Sequence, residues 1–164
     1  METGNEALYE VGVLNEKQLK DFAVSLSKDI KGGEIIFLRG ELGSGKTSFV
    51  KGFAAGFGID DKTVRSPTFT IVNEYPGETL ELIHIDLYRL QSKEEVIELA
   101  LEDIIDETTV MVVEWPKLCE GLFENNIEIL FYHHDKSHRE IKINLIDNKT
   151  YNNVKNWLKR HVHK

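Results

Sequence analysis

A glycine-rich segment, GELGSGKT at residues 40–47, constrains the fold of this chain more strongly than any other feature. It satisfies the pattern G-x-x-x-x-G-K-[ST], follows the short apolar run EIIFLRG (34–40), and leads into a stretch with helical spacing that begins at Lys46. Glycines let main-chain N–H groups approach an anion without a clash from Cβ, and the start of a helix adds the positive end of its dipole. The sequence therefore predicts a strand, a phosphate-binding loop and a helix in succession.

This loop supplies most of the predicted ligand contacts. Lys46 would bring a positive charge to the β- and γ-phosphates of a nucleotide, and the Thr47 hydroxyl is a hard oxygen ligand suited to Mg²⁺. The residues alone do not fix ATP over GTP; absence of the [NT]-K-x-D guanine signature favours ATP with Mg²⁺, as does the family resemblance described below, and a turn that merely joins strand to helix is the alternative. The loop residues predicted to contact the nucleotide are Gly40, Glu41, Leu42, Gly43, Ser44, Gly45, Lys46, Thr47 and Ser48.

Two carboxylates are candidates to complete the site. Asp86 follows the apolar run LELIHI, and Glu114 follows the β-branched run TTVMVV. Ligands of open parallel sheets bind beyond the carboxyl ends of the strands, where both acids are expected. We expect Glu114 to be a Mg²⁺ ligand, directly or through water, and Asp86 to orient water; the reverse assignment and a merely solvated carboxylate stay open. Lys46, Asp86 and Glu114 are the predicted catalytic residues.

The rest of the hydrophobic pattern alternates strands with helices. This alternation predicts one α/β domain over residues 1–164, a three-layer sandwich like that of P-loop NTPases with a central mixed β-sheet flanked by helices. Pro76-Gly77 marks a hairpin turn between two of the strands. Strands are predicted at 34–40, 68–75, 80–88, 108–115, 127–134 and 139–147, and helices at 15–30, 46–56, 92–105 and 151–160.

Composition bounds the partners and the compartment. Lysine and arginine total 20 against 28 acids, a net charge of −8, so tRNA or other nucleic acid is expected to bind mainly through a partner. The lone Cys119 forms no internal disulfide, and no apolar run approaches the length of a membrane span, which predicts a cytoplasmic protein without membrane contact. His84 is expected to be structural or hydrogen-bonding, and the histidines at 133, 134 and 138 to face solvent.

Four sequence blocks together resemble the TsaE (YjeE) family. They are GELGSGKTSFVKG, SPTFTIVNEY, HIDLYRL and VEWP, which span residues 40–116 in this order. The loop is shared by many NTPases, whereas the other three blocks are far more restrictive. The resemblance implies a small bacterial ATPase with slow turnover that supports formation of threonylcarbamoyladenosine in tRNAs reading codons that begin with A.

The resemblance also implies roles for individual residues. It assigns a metal-associated carboxylate to Glu114, a functional aspartate to Asp86, and a switch-like loop near the γ-phosphate to residues 66–70, including Thr68. It places Arg139 near the nucleotide. The chain departs from the family pattern at Lys17-Gln18, where members often carry a threonine near the adenine, so recognition of the base is not explained.

The partners implied by the resemblance are TsaD and TsaB, whose complex would stimulate ATP hydrolysis; weak self-association stays open. Two other functions are compatible with the residues. A small-molecule kinase would need an arginine-rich lid, and the few arginines here form no such cluster. A nucleotide-responsive binding module would use ATP to set the conformation of residues 63–75 without needing turnover.

Overall fold

The structure is a computed structural model that describes residues 7–123, 125–146 and 151–162. Helices pack on both faces of a central sheet, which confirms the predicted three-layer α/β sandwich. The strands are β1 (Ala7–Asn15), β2 (Ile35–Arg39), β3 (Val72–Pro76), β4 (Glu81–Asp86), β5 (Thr109–Glu114), β6 (Asn126–His133) and β7 (His138–Ile146). The helices are α1 (Glu16–Ser27), α2 (Lys46–Ala55), α3 (Lys93–Glu98), α4 (Leu101–Ile104) and α5 (Asn152–His161), with 3₁₀ turns at Asp61–Thr63 and Pro116–Cys119.

The described strands form one mixed sheet in the order β1-β7-β6-β2-β5-β4-β3. Strands β6, β2, β5 and β4 are parallel, while β7, β1 and β3 are each antiparallel to their neighbours. Strand β2 lies between β5 and β6, so the loop that follows it leaves the middle of the sheet. The carboxyl ends of β4 and β5 open at the same edge, where Asp86 is the register partner of Glu114.

Strand β2 shows why the central strands are continuous apolar runs. Its residues alternate between two buried cores, with Ile36 and Leu38 facing α1, α2 and α5, and Ile35 and Phe37 facing α3 and α4. A strand that is covered by helices on both faces needs apolar residues at every position rather than at every second one. The loop after β2 is thus anchored at its start by a fully buried strand.

The structure departs from the predicted elements in three places. Strand β1 was not predicted; it is an edge strand whose partner β7 is distant in sequence. The strand predicted at 68–75 begins only at Val72, because Ile71 has a left-handed φ of 69° and residues 68–70 form a turn. The helix predicted at 92–105 is divided between α3 and α4 at Ala100, which also has a positive φ.

The remaining predicted elements are confirmed within a few residues at each end. These include the late antiparallel pair β6 and β7, although Asp147, the last residue predicted for the second strand, lies outside the described residues. Among the described helices, none combines the length with the apolar character that crossing a lipid bilayer requires.

Candidate functional site

The loop between β2 and α2 has the backbone shape that its glycines predict. Gly43 and Gly45 have φ values of 74° and 104°, which glycine adopts without strain. At Gly40 a Cβ would lie 2.9 Å from Cβ of Phe131 and 2.6 Å from Oγ of Ser44, so the close packing of the loop onto β6 requires a residue without a side chain. Gly45 is the N-cap of α2 and provides no side-chain acceptor, so the first N–H groups of this helix are available to an anion.

Lys46 lies within the protein rather than extending into solvent. Its Nζ donates a hydrogen bond to the carbonyl oxygen of Gly40 at 2.6 Å and lies 3.5 Å from the centre of the Trp115 ring. Burial lowers the pKa of Lys46 from its ordinary value, while the negative charges of Glu114 and Asp86 oppose the shift. The ammonium is therefore partly desolvated and pre-positioned, so an electrostatic contact with a phosphate would be stronger there than in water.

Asp86 and Glu114 lie side by side at the ends of β4 and β5, both buried. Oδ1 of Asp86 accepts a hydrogen bond from the main-chain N–H of Tyr88 at 2.8 Å, and Oδ2 accepts one from Oγ1 of Thr68 at 3.2 Å. Oε2 of Glu114 lies 2.6 Å from Nε2 of His84. Each carboxylate is thus held by a different partner, and His84 is hydrogen-bonded as predicted.

A cleft of about 380 Å³ brings most of the predicted residues together; we call it the loop cleft. Residues 42–48 line one wall, and Thr68, Asp86 and Glu114 line the other. Three further residues, Ser66, Tyr88 and Trp115, complete the lining. Of these, Trp115 contacts Lys46 through its ring. The sequence contains Trp115 in the VEWP block, but no role was predicted for it.

Gly40, Glu41 and Arg139 do not line the loop cleft. Gly40 acts through its carbonyl oxygen, which accepts from Lys46, and Glu41 is exposed on a separate apolar groove. Arg139 lies on the other side of the loop, where Nη2 donates to the carbonyl oxygen of Gly43 at 3.0 Å. It lines a second cleft of about 770 Å³, the α1 cleft, together with Lys17, Lys20 and Ser48.

The oxygen donors of the loop cleft fit a hard divalent cation. The Thr47 hydroxyl and the Glu114 carboxylate, the predicted metal ligands, face the same cleft as Asp86. Mg²⁺ usually takes only one or two protein ligands and completes its shell with water and phosphate oxygens, which suits so small a set. Within the described residues, no group of three or more His, Cys, Asp and Glu could hold a metal ion, and His133 and His134 are exposed as predicted.

The fold and the loop define an α/β protein of the phosphate-loop type. A sequence model of the family described as "Threonylcarbamoyl adenosine biosynthesis protein TsaE" matches residues 13–141. The chain belongs to the TsaE family, and the resemblance found in the sequence is confirmed.

Individual relatives agree with this assignment. The tRNA threonylcarbamoyladenosine biosynthesis protein TsaE of Bacillus subtilis strain 168 is 36% identical over 149 residues, which covers 90% of this chain and 92% of that protein. The protein of the same name from Aquifex aeolicus strain VF5 is 40% identical over 142 residues and is covered to 97%. The crystal structure of Bacillus subtilis YdiB is similar with a TM-score of 0.71 at 28% identity, covering 98% of this chain and 99% of that one.

Proposed function

We propose that this protein binds ATP with Mg²⁺ in the loop cleft and hydrolyses it slowly, in support of threonylcarbamoyladenosine formation in tRNA. One observation carries the proposal: Lys46, the Thr47 hydroxyl and both buried carboxylates face a single cleft at the N-terminus of α2. A helix N-terminus with a pre-positioned lysine binds phosphate, and the carboxylates add the groups that hydrolysis needs.

Each residue has a distinct part in the proposed reaction. The N–H groups of the loop and the Lys46 ammonium bind the β- and γ-phosphates and stabilise the charge that develops during transfer. Asp86, held by Thr68 and by the N–H of Tyr88, orients the attacking water. Mg²⁺ bound by Thr47 and Glu114 would neutralise phosphate charge. The exchange of roles between the two carboxylates remains an alternative.

The base and ribose are proposed to occupy the α1 cleft, which shares Gly43, Gly45 and Ser48 with the loop cleft. The Gln18 side chain is engaged elsewhere, because it and that of Asn15 form a reciprocal capping box at the start of α1. Lys17 lines the cleft and Gln18 does not, so of these two residues Lys17 is the one proposed to contact the base.

The names of the relatives support the place of this activity in tRNA threonylcarbamoyladenosine biosynthesis. We propose the TsaD and TsaB proteins as the partners that stimulate hydrolysis in the cytoplasm. The net charge of −8 supports contact with tRNA mainly through these partners, because an acidic surface repels phosphates.

The proposal is tested by calorimetry with ATP at millimolar Mg²⁺ and by ATP hydrolysis with and without TsaD and TsaB. Lys46→Ala should weaken nucleotide binding about 10- to 100-fold, the loss expected for one charge-assisted contact. Lys51→Ala, further along the same helix, is the matched control and should bind like the unaltered protein. Absence of nucleotide uptake by the folded, unaltered protein would overturn the proposal.

Turnover is tested separately from binding. Asp86→Asn keeps the shape of the side chain but removes the charge, so nucleotide should still bind while hydrolysis falls. If tRNA modification with the partner proteins is unaffected by this change, the protein acts as a nucleotide-responsive module and not as an ATPase.

A further inference from the structure

His84, whose ring contacts Glu114 within the protein, has no part in the proposed reaction. His84 and Glu114 lie on the adjacent strands β4 and β5, and Nε2 of the ring is 2.6 Å from Oε2 of the carboxylate. Both side chains are excluded from solvent, His84 completely. Because Oε2 is engaged by the ring, Oε1 is the oxygen of Glu114 left for the loop cleft.

The 2.6 Å contact and the ligating role proposed for Glu114 together indicate which ring nitrogen carries the proton. A neutral ring protonated on Nδ1 would set two acceptors, Nε2 and a carboxylate Oε2, against each other at hydrogen-bond distance, which is repulsive. A glutamate that ligates Mg²⁺ carries no proton, so the bond is Nε2–H donating to a carboxylate. Nδ1 then remains a buried acceptor with no hydrogen-bond partner among the described residues.

This arrangement is an inefficient way to stabilise the sheet. A buried polar pair with an unsatisfied ring nitrogen is no more stable than two apolar side chains of similar size, because desolvation offsets the attraction. Neighbouring buried positions of the same strands, such as Ile83, Ile85 and Val113, are apolar. The polar pair lies at the end of β5, where Glu114 lines the loop cleft.

We propose that His84 is a positioning residue: its Nε2–H fixes the rotamer of Glu114 and engages Oε2, so that Oε1 is presented to the Mg²⁺-nucleotide. The inference rests on the proposed function. Groups that hydrogen-bond to a ligating carboxylate typically change metal affinity 10- to 100-fold when removed. His84 therefore affects the metal dependence of nucleotide binding rather than nucleotide binding as such.

The test compares two variants that are both polar and similar in size. In His84→Gln the amide nitrogen falls near the position of Nε2 and can still donate to Glu114, whereas in His84→Asn it falls near Nδ1 and cannot reach. The binding of a fluorescent ADP analogue is measured at increasing Mg²⁺ concentration. The quantity compared is the Mg²⁺ midpoint, the concentration at which Mg²⁺ has produced half of its full increase in binding. We expect His84→Asn to raise this midpoint about tenfold or more, and His84→Gln to restore it to within about threefold. Affinity for the analogue in EDTA should be the same in all three proteins.

Val110→Ala is the control for lost stability, because Val110 is a fully buried residue of β5 whose register partner is Leu82 rather than His84. It should lower the unfolding temperature but leave the Mg²⁺ midpoint unchanged. Equal midpoints for the unaltered protein and His84→Asn, or equal losses with Mg²⁺ and EDTA, would overturn the inference alone. If the unaltered protein bound no nucleotide, the proposed function would fail and this inference with it.

Discussion

Two of the segments that border the loop cleft contain left-handed backbone and use opposite kinds of residue for it. In the phosphate loop, Gly43 and Gly45 have positive φ angles, which cost glycine nothing. In the facing segment, residues 66–71, the positive φ of 69° belongs to Ile71, a β-branched residue for which this conformation is strained by about 1–2 kcal/mol. The phosphate loop thus has a backbone conformation that its residues favour by themselves. The conformation of residues 66–71 depends on contacts with the rest of the protein.

The backbone of Ile71 is held in this conformation by two hydrogen bonds, one of which comes from Asp86 in the loop cleft. The carbonyl oxygen of Ile71 accepts a hydrogen bond from the N–H of Asp86 at 2.9 Å. The N–H of Ile71 donates one to the carbonyl oxygen of Pro67 at 2.6 Å. Within the same segment, Ile71 packs against the apolar cluster under α3 and α4, whereas Phe69 is 84% exposed. Strain combined with exposure is typical of segments that change conformation. The comparison supports a preformed loop at the proposed phosphate site and an adjustable segment, residues 66–71, that faces it.

The largest effect is expected where a glycine of the loop is replaced. Gly45→Ala places a Cβ at a φ of 104° and 2.9 Å from Cδ2 of Leu19. We expect an unfolding free energy lower by about 2 kcal/mol and an ATP affinity reduced by more than about tenfold, because the N–H groups of the loop would no longer converge. Urea denaturation and calorimetry measure the two effects.

Gly12→Ala, on β1 and outside the loop, is the matched control for this variant. Its φ is also positive, at 129°, and a Cβ there meets nothing within 4 Å, so only the backbone strain of about 1 kcal/mol is added. Similar losses of affinity in both variants would show that the loss follows from destabilisation alone, and the contrast between the two walls would fail.

The same contrast explains what was predictable from the sequence. The loop was predicted residue by residue because its glycines encode their own backbone conformation, and the carboxylates followed because they terminate apolar strands. Ile71 and Trp115 also have positive φ angles, yet neither residue type favours them, so their conformations follow from tertiary contacts that no local pattern reveals. This is why the strand before β4 was predicted four residues too early and why the contact of Trp115 with Lys46 was missed.

Edge elements were hard to predict for a related reason. Strand β1 contains Glu10 and Gly12 within an incomplete alternation, and its pairing with β7 shifts register between these two residues. Its stability comes from a partner more than a hundred residues away rather than from its own sequence. Central strands such as β2 and β5 are buried on both faces, and their continuous apolar runs are visible without knowledge of the partner.

An intermediate effect is expected at Thr68, where the adjustable segment contacts Asp86, the carboxylate proposed to orient water. Thr68→Val keeps the shape of the side chain but removes the hydroxyl that donates to Asp86. We expect hydrolysis to slow about fivefold, the equivalent of one hydrogen bond of about 1 kcal/mol, with little change in nucleotide affinity. Thr70→Val is the control, because the Thr70 hydroxyl bonds to Asn73 instead. If the two variants hydrolyse ATP at equal rates, the hydrogen bond from Thr68 to Asp86 does not contribute to hydrolysis.

The smallest effect tests the strain itself. Asn tolerates positive φ far better than a β-branched residue, so in Ile71→Asn the relief of strain should offset part of the lost apolar contact. Val72→Asn is the matched comparison, because Val72 packs against the same apolar cluster without a positive φ. We expect both variants to have a lower free energy of unfolding than the unaltered protein. The decrease, measured by urea denaturation, should be about 1 kcal/mol smaller for Ile71→Asn than for Val72→Asn. If Ile71→Asn is the more destabilising of the two, Ile71 is not strained, and the two walls of the cleft do not differ in the way argued above.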